Sequence, residues 1–137
     1  MKIRSVTYFC NPGWPLDEKI LRAAGEFLAR AKSAYEAAGY EVQTTRLATI
    51  PFPRLLNGDL SQTPKLAESL ATILKQVGIA YASLGPALSG FPTSYAIIPE
   101  AIAASENIFF GGRMADKARE EVRQKILLKQ KLRAITL

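Results

Sequence analysis

Residues 79–90 read IAYASLGPALSG: a short apolar, β-prone run stopped by Gly85-Pro86. The start suits a strand and the Gly-Pro pair suits its end. On the amino side, Leu66, Leu70, Ile73, Leu74 and Val77 recur at helical spacing, Thr63-Pro64 offers an N-cap with Pro in the first turn, and Gly78 ends the helix. On the carboxyl side a short helix is predicted over 97–105, with Pro99 and Glu100 where a missing amide and a negative charge are tolerated. NIFFGG at 107–112 is then a further strand, and a last helix runs from 115 to about 133.

The same alternation extends to the start of the chain. IRSVTYF at 3–9 reads as a strand, and residues 16–38 place Ile20, Leu21, Ala24, Phe27, Leu28, Ala31 and Tyr35 at helical spacing between an Asp17 N-cap and a Gly39 stop. YEVQTTRLAT at 40–49 is the next strand, with Val42, Thr44 and Arg46 alternating against Thr45 and Leu47. Four strand-helix units in strict order predict an α/β fold with a mainly parallel sheet and right-handed crossovers.

The loops divide unevenly between the two ends of such a sheet. CNPGWP (10–15), RLATIPFP running on to Pro64, SLGPALSGFP (83–92) and GGRM (111–114) follow the strands, whereas the opposite turns are Gly39, Gly78 or the short 105–107. Ligands of parallel α/β sheets bind at the carboxyl ends of the strands, so the long Pro- and Gly-shaped loops mark the site-bearing rim.

Composition removes whole classes of function. With no histidine, neither a Ser-His-Asp nor a Cys-His centre can be built within the chain, nor a zinc site that depends on imidazole. The single cysteine forms no internal disulfide. Apolar stretches are broken well short of the ~20 residues of a membrane span, and no signal-peptide pattern follows Lys2 and Arg4, so no membrane is expected and the expected address is cytoplasmic. The net charge of +6 is concentrated at the end: from Arg113 onward eight basic residues face three acidic ones, which leaves +1 for residues 1–112. Nucleic acid is therefore not an expected partner of the bulk of the chain.

Several segments, in order and spacing, carry a resemblance: KIRSVTYF, GYEVQTTRLATIPFP, YASLGPAL and IPEAIAASENIFF. They resemble the N-terminal third of a prokaryotic family known as domain of unknown function number seven hundred and eleven. QTTRLATIPFP is the most specific segment. The resemblance covers 1–116 and sets 117–137 apart as a basic amphipathic C-terminal helix or tail, atypical or truncated. It implies a part of a larger α/β barrel, similar in fold to the pyruvate formate-lyase-like glycyl radical enzymes, with no implication of radical chemistry. Family members are roughly three times as long, so the chain is expected to be a fragment. The family supplies no catalytic residue, cofactor or metal.

Candidate residues therefore rest on their own chemistry. Four are assigned to an anion-binding rim: Asn11, Arg46, Ser83 and Arg113. Arg46 can aim a planar fork of donors at a carboxylate or phosphate, the alternative being a surface arginine or one paired with a glutamate of a neighbouring helix. Ser83 beside Gly85 can present a hydroxyl and open amides, or simply mark a tight turn. Gly85 and Gly90 carry the spacing of a P-loop, but Phe91-Pro92 replace its Lys-Ser/Thr, and no G-x-G-x-x-G occurs. Cys10 has no adjacent cation to activate it and reads as an inert thiol. Trp14 covers the first helix, Tyr8 and Tyr81 are strand residues with Tyr95 beyond them, and Asp59 shapes an Asn-Gly turn.

Three functions from different classes follow. One is a rim that binds a small anionic metabolite within a full barrel, as an enzyme when full length. Another is a non-catalytic binding or sensor module. The third is an interaction protein using its basic C-terminal helix. The final helix places Ala118, Val122 and Ile126 on one face with Leu127 and Leu132 near it, as an ordinary covering helix does. A truncated barrel with open strand edges is expected to self-associate.

Overall fold

The computed structural model describes residues 1–115 and 117–136, with side chains described through 115 and over 124–133. Strands β1 (Lys2–Cys10), β2 (Glu41–Pro51), β3 (Tyr81–Gly85) and β4 (Ile108–Phe109) form one four-stranded sheet in the order β1-β2-β3-β4, every pair parallel. The α/β class and the parallel sheet are as the sequence predicts.

Between the strands lie α1 (Glu18–Ala37), α2 (Phe52–Leu55), α3 (Thr63–Val77), α4 (Thr93–Ala96) and α5 (Ile98–Ala104). A sheet whose spatial order equals its chain order, wound with right-handed crossovers, carries its helices on one face. The core agrees. Leu21, Ala24 and Leu28 of α1, Leu66, Ala67, Leu70 and Leu74 of α3 and Ala101 of α5 are buried, as are Leu47, Ala82, Leu84 and Ile108 of the sheet. Phe52 of α2 is fully buried and meets Phe110 edge-on at 5.6 Å.

Local signals explain the element ends. Asp17 caps α1, its Oδ1 accepting from the Lys19 amide at 2.9 Å. Gly78 ends α3 in the left-handed region at φ +75° and returns its amide to the Leu74 carbonyl. Thr63 does not act as the predicted cap. Its hydroxyl donates back to the Leu60 carbonyl at 2.7 Å, within a 3₁₀ turn (Leu60–Gln62) that occupies the approach to α3, so Gln62 is left as a cap without a side-chain bond. α1 and α3 approach closely at Gly25, where a Cβ would lie 2.5 Å from the Val77 carbonyl oxygen.

Two predicted elements change shape. The helix placed at 97–105 is preceded by the separate turn α4, and β4 shortens to two residues, prolonged only by an isolated parallel bridge between Ala87 and Gly112. The last helix, α6 (Lys117–Thr136), forms as expected. Its described side chains are all exposed, Ile126, Leu127 and Leu132 included, so these three cover no core. Ala118 and Val122, assigned to the same stripe, lie outside the described side chains.

Candidate functional site

The carboxyl ends of the strands and the long loops share one edge of the sheet, and Gly39 and Gly78 precede β2 and β3 at the other. The four candidates divide within that frame. Asn11 follows the last residue of β1, and its Oδ1 accepts from the Gly13 amide at 3.0 Å, so the side chain shapes the turn. Arg113 follows the Ala87–Gly112 bridge. Its amide donates to the Ala87 carbonyl at 2.9 Å, and its own carbonyl accepts from the Tyr95 hydroxyl at 2.5 Å. Both residues lie in the loops that leave the carboxyl ends of the strands, Asn11 after β1 and Arg113 beyond β4.

Arg46 and Ser83 sit elsewhere. Arg46 is in the middle of β2, level with Tyr81, the first residue of β3, and Ser83 is paired with Ala48. Strand residues alternate between faces, and in-register partners of parallel strands share one. Leu47 and Ala82 enter the helix-covered core, so Arg46, Ala48, Tyr81 and Ser83 occupy the opposite face. The register extends this face into two rows. Thr7, Arg46 and Tyr81 form one; Phe9, Ala48, Ser83 and Phe109 form the next. Phe9 is 77% exposed and Phe109 54% exposed, while the residues between them are half-buried.

Arg46 is half-buried and makes a cross-strand contact. Its Nε–H donates to Thr7 Oγ1 at 2.7 Å, across the β1–β2 pair. The ion pairs found among the described residues join Lys2 to Glu41 at 3.6 Å and Lys32 to Glu36 at 4.0 Å, so no carboxylate of a neighbouring helix holds Arg46. Thr7 thus holds the guanidinium at its Nε edge. Thr44 is committed elsewhere on this face, its hydroxyl donating to the Arg4 carbonyl at 2.9 Å.

At the carboxyl end of the face the β2–β3 register shifts between Ala48 and Pro51. Thr49 bridges the irregularity: its hydroxyl accepts from the Gly85 amide at 3.1 Å and donates to the Ile50 carbonyl at 2.9 Å. A Cβ at residue 85 would overlap the Ile50 carbonyl group and the Pro51 nitrogen. Gly85 is thus required for close passage of β2, a reason distinct from phosphate approach.

The other reactive groups are quiet. Burial pushes the Cys10 thiol up to about 11, which suppresses the thiolate that nucleophilic chemistry needs. Asp59 accepts from the Ser61 hydroxyl at 2.6 Å, within its turn. Among the described residues, no group of three or more His, Cys, Asp or Glu side chains could hold a metal ion, and no helix is long and apolar enough to cross a membrane. Two external grooves, of about 390 Å³ between α1 and α3 and about 500 Å³ between α3 and α5, include none of the four candidates.

Sequence reasoning had no direct signal for Thr7. Only the strand register, which pairs it with Arg46 across 39 residues, identifies it as the side chain that orients the guanidinium. No curated protein and no solved structure matches the chain. Residues 1–122 match the family model described as Uncharacterised ACR (DUF711), in agreement with the resemblance in QTTRLATIPFP, and the chain belongs to that family.

Proposed function

We propose that the chain contributes a small-anion-binding surface to a larger α/β barrel, with Arg46 as the anion-contacting residue, Thr7 as its positioning residue and Ser83 as a second hydroxyl donor. The observation that carries this reading is the half-buried Arg46 guanidinium, tethered by Nε to Thr7 at 2.7 Å and paired with no carboxylate among the described residues. A partly desolvated arginine that lacks a protein anion favours an external one, and a planar fork favours a carboxylate or phosphate oxygen pair. Asn11 and Arg113, at opposite ends of the rim, serve to shape and flank the approach.

The barrel reading rests on the consecutive strand order and the one-sided helices. Closing such a sheet turns its helix-free face inward and places Arg46 within the enclosure, where charge-assisted hydrogen bonds strengthen. Titration calorimetry of the 137-residue chain with acetate and with inorganic phosphate tests the assignment. Arg46→Met is expected to weaken whichever anion binds by about 10- to 150-fold, corresponding to about 1.5–3 kcal/mol for a hydrogen bond to a charged group. Cys10→Ser is expected to leave binding unchanged. Equal losses in the two variants, or no loss in Arg46→Met, overturn the proposal.

A further inference from the structure

The row Phe9–Ala48–Ser83–Phe109 is large, small, small, large across four adjacent strands. Its floor is the Ala48 methyl and the Ser83 hydroxymethyl group, and the next position along β3 is Gly85, which has no side chain. Its two ends are exposed phenyl rings on the outer strands, about 14 Å apart at the backbone. Tyr81 thickens one wall, meeting Phe109 edge-on at 5.3 Å. Arg46 stands one residue pair before this floor, in the adjoining row. The result is a shallow trough with aromatic sides, a small-residue base and a single cation at one end.

From this we infer that the ligand of the Arg46 site is a monoanionic carboxylate carried on an aromatic ring. The inference rests on the anion-site reading above and adds the nature of the ligand's body. One guanidinium is the only charged side chain in the two rows, and it balances one negative charge. A phosphate dianion would need a second cation that these rows lack. The carboxylate sits on the free edge of Arg46 with Ser83 donating to it, and the ring lies over Ala48 between the phenyl walls. Aromatic rings favour tilted or edge-to-face contact with phenyl side chains, and Phe9 and Phe109 lose exposed apolar surface when a ring fills the space between them.

The test is amide NMR titration of the 137-residue chain with benzoate and with acetate, which share the carboxylate and differ in the ring. Benzoate is expected to bind at least about tenfold more tightly, a factor worth about 1.4 kcal/mol, with shift changes centred on Ala48, Ser83 and Phe109. In Phe9→Ala/Phe109→Ala, whose altered side chains are exposed in the parent, the benzoate advantage is expected to fall below about twofold while acetate binding persists. Arg46→Met is expected to weaken binding of both by about 10- to 150-fold. If acetate binds through Arg46 but benzoate gains nothing, the ring assignment is overturned and the anion site stands. If benzoate binds equally well to Arg46→Met, or neither compound binds the parent, the anion site and the ring assignment fail together.

Discussion

Replacing Gly85 with alanine adds one methyl group where β3 passes close to the main chain of β2. The new Cβ would overlap the Ile50 carbonyl and the Pro51 nitrogen, both main-chain groups of β2 that no rotamer change can move aside. Overpacking of this kind costs about 1–3 kcal/mol, and contact with backbone places it toward the upper end. Separating the strands also stretches the 3.1 Å bond from the partly buried Gly85 amide to Thr49 Oγ1, whose loss costs up to about 1–3 kcal/mol. The two penalties share one displacement and do not add, so a loss of about 3 kcal/mol is expected. Gly90→Ala supplies the control: the same methyl meets nothing within 4 Å, and its effect should lie within about 1 kcal/mol of zero. Urea unfolding followed by circular dichroism, with both variants compared at equal slope, measures the difference. A Gly85→Ala protein within about 1 kcal/mol of the parent would refute the argument, because β2 would then have room that the register shift denies it.

Two further outcomes are expected. The Cys10 thiol, held near 11 by burial against an ordinary value of 9.0, should react at least about tenfold more slowly with a disulfide reagent at pH 8 in the folded chain than in urea, the smaller thiolate fraction being partly offset by the greater nucleophilicity of a more basic thiolate; a folded-state rate that levels off near pH 9 would contradict this. Exposed Ile126, Leu127, Leu128 and Leu132 on α6 should make the 137-residue chain associate in a way that light scattering finds unchanged between low and high salt. A salt-indifferent monomer, or an association that dissolves in salt, would refute the hydrophobic origin.

Much of this arrangement is legible in the sequence because alternation and capping are local properties. Val42, Thr44 and Arg46 against Thr45 and Leu47 already assign Arg46 and Leu47 to opposite faces, and Asp17 and Gly78 act where their backbone chemistry suits them. What is hidden depends on register or on competition between equally local choices. Thr63 can cap a helix or return a bond to the turn before it; the preceding 3₁₀ turn takes the hydroxyl. Arg46 looks like a strand-end residue when β2 is read to 49, but the strand continues through Ile50 and Pro51 and leaves it at mid-sheet. The Thr7–Arg46 tether spans 39 residues, and no sequence period encodes that distance. The exposure of α6 over 124–133 is hidden for a related reason: an apolar pattern tells which side of a helix prefers cover, while tertiary geometry decides whether cover is met.

The consecutive strand order also bears on how the chain is made. Each new strand joins the outer edge left by its predecessor, so none has to be threaded between strands already paired. A ribosome releases residues in that same sequence, and β1, α1 and β2 can close their contacts before α3 has emerged. Sequence separation between partners stays near the length of one strand-helix unit, which keeps the loop-closure cost of each addition small and nearly constant. Growth by accretion moves one edge of the sheet while the β1 edge stays where it first formed, and the final moving edge, β4, is only two residues wide.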